Sequence, residues 1–405
     1  MEVLHTAYII NAKLIFEDAD FEDIEKRNSY VLKTPTSTLP FLETPEGNVS
    51  ESLSIETFLA NKFKPDLLGR NSFERAKINQ WVEFGASEIQ KCLKEIIYPI
   101  FNWKELNKEM ADKANKNIKQ YIIILEKELN HGKNYILGDK ITLADIVLFR
   151  YLRLFMMLHF PENLRNGLFP KLTKWFENIM NTPEAIEAYG RTILCKKPLK
   201  PLNIKIDRTQ KLELLKRKVG IKDPNPLDSL PSSSFNLEQF KNEYFEEKRD
   251  KNKIMDKFWE EFDPQGYSLW WMEYQNLVSE GKKLFRMNNS KNFFLERIDE
   301  DFSDYAFGLH GVYEKEGDYK VRGIWMWRGN EIPKEIKDNE YFEYMTIKKL
   351  NIKNDSDKQF IRDYWTKINK GEKVDGRTLV KFSYFHYEKI LIIYNNKKIN
   401  ILNNL

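Results

Sequence analysis

Residues 138–146 read Gly-Asp-Lys-Ile-Thr-Leu-Ala-Asp-Ile, and this stretch predicts the start of a helix. Thr142 suits the N-cap position and Asp145 the third helical position, so each side chain can bond the backbone N–H of the other in a capping box. Ile141 before the cap and Ile146 after it form the matching hydrophobic staple. The motif therefore predicts where a helix begins.

The sequence around this motif has a helical pattern. Apolar residues recur every three or four positions from Ile78 to Ile89 and again from Ile118 to Leu129. We expect residues 71–194 to form an all-helical subdomain.

The preceding residues, 1–65, have a mixed pattern. They combine strand-like runs, Val3–His5 and Leu39–Glu43, with helical stretches, Asn11–Asp18 and Leu53–Phe63. An αβ head followed by an all-helical half predicts an α+β arrangement.

Two further motifs lie in the head. Leu39 and Pro40 open a strand, where proline is acceptable only at an edge or in a cis bend because it has no backbone N–H to donate. Glu51 and Ser52 stand at the mouth of a helix, where free N–H groups and the helix dipole suit a carboxylate ligand.

In this order and at this separation, the three motifs resemble the glutathione transferase fold over about residues 1–190. The resemblance implies a thioredoxin-like head in which a cis Pro40 lies beside the ligand. It also implies that Leu39, Pro40, Glu51 and Ser52 contact glutathione. A helix cap at Glu51 and Ser52 that holds no ligand, and a purely architectural Pro40, are the alternatives.

The catalytic residue is less clear from the sequence. Transferases of this kind place a Tyr, Ser or Cys after the first strand to stabilise the glutathione thiolate. Thr6 and Tyr8 are the only candidates, and we favour the reading in which Thr6 ends a strand and Tyr8 packs at a helix start. His5 is interpreted as structural. We therefore expect no catalytic residue, with Thr6 and Tyr8 as weak candidates.

The composition favours a globular protein of two or three domains. The chain has 405 residues, is 41% hydrophobic and 31% charged, and has a net charge of +4. Its two cysteines, Cys92 and Cys195, exclude a disulfide scaffold and a zinc module and favour a reducing compartment. There is no signal-peptide pattern, and Arg150 and Arg153 interrupt the longest apolar run, Ile146–Phe160. We expect a cytoplasmic protein with no metal site and no cofactor, glutathione being the one candidate ligand.

Residues 195–230 have the composition of a linker. They hold 10 basic and 4 acidic side chains and four prolines, and Pro231 follows directly. Lys211–Lys218 can form one or two helical turns. We interpret the segment as a solvated tether, and weak, salt-sensitive contact with RNA or a membrane surface is the alternative.

Residues 231–390 predict a second body, an α+β domain with an antiparallel sheet. Aromatic or β-branched runs, Phe293–Ile298, Gly323–Trp327 and Tyr341–Lys348, predict strands. Leu237–Glu246 and Asp357–Lys367 predict helices.

The run Phe258–Trp271, with the turn Asp263–Gly266 inside it, resembles the C-terminal domain of the elongation factor 1-gamma family. The match continues through Asn292–Asp299, Ala306–Gly308, Gly323–Gly329 and Tyr341–Tyr344 in the same order and spacing. It covers about residues 225–390. The tail, 391–405, differs from the family and is either an added strand or an extension.

This resemblance implies a non-catalytic scaffold subunit of the elongation factor 1B complex, which also has a transferase-like first part. Its partners would be the nucleotide-exchange subunits and elongation factor 1-alpha, with a homodimer through the transferase-like region as a further possibility. The helical face of residues 71–190 is the expected docking surface. The competing hypothesis is an active glutathione transferase with an appended domain.

The aromatic residues of the second body allow one more reading. Base stacking on RNA would use Trp259, Trp270, Trp271, Trp325 and Trp327. We favour the interpretation that most of them are core residues, because basic residues are not interleaved with them. Arg297, Arg322 and Arg328 are candidates for a face that contacts an acidic partner.

Overall fold

The computed structural model divides the chain into two compact units, Met1–Asn203 and Ile204–Leu405. It describes residues 2–16, 29–30, 33–35, 39–129, 132–201, 225–246 and 250–385. The helical turns predicted within Lys211–Lys218 and the tail 391–405 lie outside these residues, and the predicted subdomain boundaries stay predictions.

The first unit is mainly helical. Its elements are α1 (Glu2–Ile9), β1 (Phe41–Thr44), β2 (Gly47–Ser50), α2 (Ser52–Phe63), α3 (Ser72–Glu83), α4 (Gln90–Ile96), α5 (Lys108–Glu128), α6 (Leu143–Leu158), α7 (Glu162–Leu168), α8 (Pro170–Met180) and α9 (Pro183–Tyr189). β1 and β2 form an antiparallel hairpin. A π-helical segment, Phe84–Ile89, joins α3 to α4.

Helix α6 is the centre of the first unit. All of its residues except Leu154 are buried, as expected for a helix that is largely apolar on every side. It packs against α1, α3 and α4. At the π-helical segment, a Cβ added to Gly85 would lie 3.3 Å from the side chain of Val147, so the two backbones approach closely there.

The strand predicted at Val3–His5 is wrong, because these residues belong to α1. Val3, Leu4, Ala7 and Ile10 are all buried, and their spacing is that of one helix face. A three-residue run is too short to distinguish the two periods. The helix predicted at Asn11–Asp18 is also wrong for its described part, since no helix forms between residues 11 and 16.

The described ends of the predicted tether contact the units beside them. The backbone N–H of Cys195 donates to Met156, and that of Leu199 donates to Leu158. On the other side, the Asp228 carboxylate accepts from the Tyr305 hydroxyl at 2.7 Å. The packing of the first unit thus extends to Leu199.

The second unit is built on a six-stranded antiparallel sheet with the strand order β6-β3-β5-β4-β8-β7. Its strands are β3 (Tyr267–Tyr274), β4 (Ala306–Lys315), β5 (Asp318–Arg328), β6 (Met345–Lys349), β7 (Lys373–Val374) and β8 (Arg377–Tyr384). Its helices are α10 (Leu237–Phe245), α11 (Lys251–Glu261), α12 (Val278–Gly281), α13 (Leu284–Glu296), α14 (Lys334–Lys337) and α15 (Asp355–Thr366).

Two of the predicted strands differ from the structure. Phe293–Glu296 belongs to α13, because Met287, Phe294 and Ile298 are buried at helical spacing. Of the run Tyr341–Lys348, only the part from Met345 onward is a strand. The predicted strand at Gly323–Trp327 and the two predicted helices are confirmed.

Candidate functional site

The β1–β2 hairpin brings together the four residues that the sequence assigned to glutathione. Phe41 pairs with Ser50 at the open end of the hairpin, so Leu39 and Pro40 enter beside the point where Glu51 and Ser52 leave. The Leu39–Pro40 peptide bond is cis. Leu39, Pro40 and Glu51 are exposed and Ser52 is half-buried. All four therefore lie at one accessible end of the hairpin.

Helix α2 begins at this point. Its N-cap residue, Glu51, has a φ of 66° and a ψ of 125°, a conformation that residues other than glycine rarely adopt and that concentrates at ligand sites. The first turn of α2 contains no acidic residue. The positive end of its dipole is therefore suited to an anionic group.

The two weak catalytic candidates lie elsewhere. Thr6 and Tyr8 are within α1, not after a strand. Thr6 is fully buried, and its hydroxyl donates to Glu56 at 3.3 Å. Tyr8 is half-buried. This placement gives neither residue the position after the first strand that the transferase chemistry requires.

A buried polar centre lies one turn along α2 from the hairpin. The Glu56 carboxylate accepts from the Arg150 guanidinium of α6 at 2.7 Å, and both side chains are almost completely buried, with exposed fractions of 0% and 6%. A pair this deep is stable only when both partners are present. It joins the hairpin-side helix to the central helix.

His5 lies beside this pair. Its ring packs edge-on against Phe149 and Tyr189, with centroid distances of 5.6 and 5.3 Å. Burial, together with the nearby Arg150 cation, lowers the pKa of His5 to about 3. A neutral imidazole that is fully buried is a structural residue, as the sequence predicted, and it does not take up a proton at neutral pH.

Sequence reasoning missed the Glu56–Arg150 pair, although two signals pointed to it. Glu56 lies between Ile55 and Leu59 on the apolar face of α2, and Arg150 interrupts an apolar run. Charges at such positions are seldom buried without a partner. Which charge pairs with which requires the tertiary structure.

The capping box at the start of α6 is confirmed. Asp145 accepts from the backbone N–H and the hydroxyl of Thr142 at 2.9 and 2.8 Å. Its other oxygen accepts from the Ile136 N–H at 2.9 Å and the Trp175 indole at 3.0 Å. Burial raises the pKa of Asp145, while these four bonds act in the opposite direction. The residue thus joins three segments of the first unit.

The tryptophans of the second unit are mainly core residues. Trp325 and Trp327 are completely buried, and Trp270 stacks on Trp327 with a centroid distance of 5.2 Å. Trp259 and Trp271 are half-buried and pack against the core on the opposite face of the sheet, which contains Ile324 and Met326. These rings do not form an open platform on which bases could stack.

The three arginines proposed for an acidic partner have internal contacts instead. Arg297 is 2% exposed and lies 3.3 Å from the Glu340 carboxylate. Arg322 binds Glu273 and Asp375. Arg328 donates to the backbone carbonyls of Gly266 and Pro231. Arg297 is therefore too deeply buried for a contact face, whereas for the half-buried Arg322 and Arg328 the contact face stays a prediction.

Two classes of site have no counterpart in the described part of the chain. Within residues 2–201 and 225–385, apart from the gaps given above, no group of three His, Cys, Asp or Glu side chains could hold a metal ion. Among the helices described, none is both long enough and apolar enough to span a bilayer.

Two family models match separate parts of the chain. Residues 89–183 match the model for the C-terminal domain of glutathione S-transferase. Residues 222–331 match the model for the conserved domain of elongation factor 1 gamma. The predicted fold class is confirmed: the chain is α+β, with a helical part that matches the transferase family over residues 89–183 and an antiparallel sheet in the second unit.

Relatives match over most of the chain. A probable elongation factor 1-gamma 1 of Arabidopsis thaliana is 29% identical over 88% of this chain and 89% of that protein. Elongation factor 1-gamma of Artemia salina is 25% identical over 90% of this chain and 92% of that protein. Among solved structures, the transferase-like domain of elongation factor 1-gamma from Saccharomyces cerevisiae is 20% identical, with a TM-score of 0.44, over 49% of this chain and 92% of that one. The resemblance to elongation factor 1-gamma that the sequence predicted is confirmed.

Proposed function

We propose that this chain acts in translation elongation as a non-catalytic scaffold subunit of the elongation factor 1B complex. It anchors the exchange subunits that return elongation factor 1-alpha to its GTP state, and it works in the cytoplasm. The observation that carries the proposal is the extent of the match, since relatives named elongation factor 1-gamma align over both units.

The geometry of the first unit supports a role in binding rather than in catalysis. A transferase needs a hydroxyl or thiol that faces the glutathione sulfur. The Thr6 hydroxyl is buried and directed to Glu56. Both cysteines, Cys92 and Cys195, are buried too, and burial is the main factor that raises the pKa of Cys92 to about 11.

The test is purification of the tagged full-length chain from its own cells, with tag alone as the control. We expect stoichiometric recovery of the exchange subunits and of elongation factor 1-alpha. The purified chain by itself should leave the rate of GDP release from elongation factor 1-alpha unchanged. Absence of these partners would overturn the scaffold role, and accelerated release by the chain alone would overturn the non-catalytic one. Sedimentation of the same sample tests the possibility of a homodimer. Binding of tRNA or vesicles that rises at low salt would favour the alternative to a solvated tether.

Glutathione binding is the second candidate, favoured by the grouping of Pro40, Glu51 and Ser52 at one end of the hairpin. Calorimetric titration with glutathione tests it. Ser52→Ala should weaken binding at least tenfold, while Ser54→Ala, an exposed serine two residues later on α2, should not. If glutathione does not bind, or binds equally to the Ser52 and Ser54 variants, this candidate is removed. In a separate assay, turnover of a generic electrophile with glutathione would favour the transferase hypothesis.

A further inference from the structure

Helix α5 has an unusual outer face. Its inner face is buried through Ala114, Ile118, Ile122 and Leu125. On the opposite side, exposed residues recur at spacings of four and three, which places them on one line along the helix. This line, the α5 outer stripe, consists of Glu109, Lys113, Lys116, Gln120, Ile123 and Lys127, with Ile124 beside it.

The stripe has a net positive charge, since it holds three lysines and one carboxylate, Glu109; Asp112 lies beside it, one turn before Lys116. Within the described part of the chain, no ion pair involves Lys113, Lys116 or Lys127. Other surface helices pair their lysines one turn away, as in Lys91 with Glu88 and Lys367 with Asp363. The one acidic residue of the stripe, Glu109, lies in the first turn, where the helix dipole favours it.

The stripe is also partly apolar. Ile123 and Ile124 are 37% and 46% exposed, and Lys127 lies one turn beyond Ile123. Such a surface, with exposed isoleucines between lysines at helical spacing, is complementary to a helix of a binding partner. That partner helix would have apolar residues along one line and acidic residues beside them.

We propose that the α5 outer stripe is a docking surface for an acidic amphipathic helix of another protein. Charge complementarity identifies the partner, and the two isoleucines supply the apolar contact. RNA is a poorer fit because no aromatic ring for base stacking lies on the stripe, and a bilayer is a poorer fit because two partly exposed isoleucines offer little apolar surface to insert. The partner is identified by its chemistry, so the proposal does not depend on the proposed function.

Site-specific crosslinking tests this proposal in the full-length chain. A photoreactive amino acid replaces Gln120, at the centre of the stripe, and the chain is expressed and irradiated in its own cells. We expect adducts whose partner peptides are net acidic and have apolar residues every three or four positions. Two results would overturn the proposal. One is an adduct with RNA, lipid or a second copy of this chain. The other is an adduct yield no higher than that from a crosslinker at the exposed Lys353.

Matched variants test which side chains matter. Lys113→Gln/Lys116→Gln/Lys127→Gln should lower the adduct yield at least tenfold, and Ile123→Ser/Ile124→Ser at least threefold. The control, Lys253→Gln/Lys315→Gln/Lys353→Gln, removes the same charge from exposed lysines of the second unit and should leave the yield unchanged. An equal loss in the control, or no loss in the isoleucine variant, contradicts the proposal.

Discussion

Two polar residues, Glu56 and Asp145, link distant segments within the apolar centre of the first unit, whereas one face of the sheet in the second unit is covered by a cluster of aromatic rings. In the first, Glu56 binds Arg150 across 94 residues of sequence, and Asp145 accepts four hydrogen bonds. In the second, the sheet and helices enclose a cluster of Phe, Tyr and Trp side chains. The difference lies in what a substitution leaves behind.

A polar centre fails when a buried charge loses its partner, because the remaining group pays its desolvation cost without compensation. An aromatic centre fails when a volume changes, because closely packed rings have little free space. The two units should therefore respond to different substitutions. Hydrogen–deuterium exchange separates their responses, since each unit contributes its own peptides.

The largest expected effect is that of Glu56→Gln. It leaves Arg150 without its carboxylate in a buried site, and breaking such a pair costs about 3–5 kcal/mol. Exchange should accelerate in peptides of the first unit. The control is Glu74→Gln, which breaks the exposed Arg70–Glu74 pair and should change exchange little. Equal protection of the Glu56 variant and the wild type would show that the pair does not hold this centre together.

A smaller but substantial loss is expected from Gly308→Ala in the second unit. The added Cβ would lie 2.4 Å from the Trp325 ring on the neighbouring strand, and overpacking of this kind costs about 2–3 kcal/mol. The control is Gly167→Ala, where nothing lies within 4 Å and where a helical alanine should stabilise slightly. A Gly308 variant as stable as the wild type in urea would contradict the argument from shape.

Acidification should affect both units, because each contains a buried neutral histidine. Burial next to a cation, Arg150 or Lys291, lowers the pKa of His5 and of His310 to about 3. The unfolded chain takes up these protons below about pH 6.5 and the folded chain does not, so stability falls as the pH falls from 6.5 toward 3. Between pH 6.5 and 5 the loss should reach about 2 kcal/mol for each histidine.

Urea unfolding at several pH values measures this loss, and leucine variants assign it. His5→Leu should flatten the pH dependence of hydrogen–deuterium exchange in peptides of the first unit. His310→Leu should have the same effect in peptides of the second unit. If the slopes are unchanged in both variants, other groups cause the acid sensitivity.

The smallest expected effect is that of Trp175→Phe, which removes one of the four donors to Asp145. Three donors remain, but the smaller ring also leaves a small cavity in the core, so the loss should be about 1–2 kcal/mol. Trp103→Phe, at a ring that is 63% exposed, is the control and should be nearly neutral in thermal unfolding. A loss as large as that expected for Glu56→Gln would mean that the polar network acts as one unit.

Features with a local cause could be predicted from the sequence. The capping box needs only Thr142 and Asp145 three residues apart, and the helices at 237–245 and 355–366 show their period over nine or more residues. Val3–His5 was predicted to be a strand because three residues are too few to show a helical period. Phe293–Ile298 was predicted to be a strand because it is rich in aromatic and branched residues, which also occur in buried helices. The candidate site was half predictable: Pro40, Glu51 and Ser52 came from motifs, but the burial of Thr6 did not.

By itself, the sequence determined the start of α6, the strand that follows Pro40, the two-part organisation and the family resemblance, because each depends on residues close together in the chain or on motif order. Only the tertiary structure decided which buried charges are partners. The chain contains many lysines and arginines that could pair with Glu56, and the sequence around Arg150 does not identify it as the partner. The same holds for Asp145 and Trp175, and for Gly308 under Trp325. Contacts between distant segments are set by how helices and strands pack, and that packing minimises buried unpaired groups and empty space over a whole unit at once.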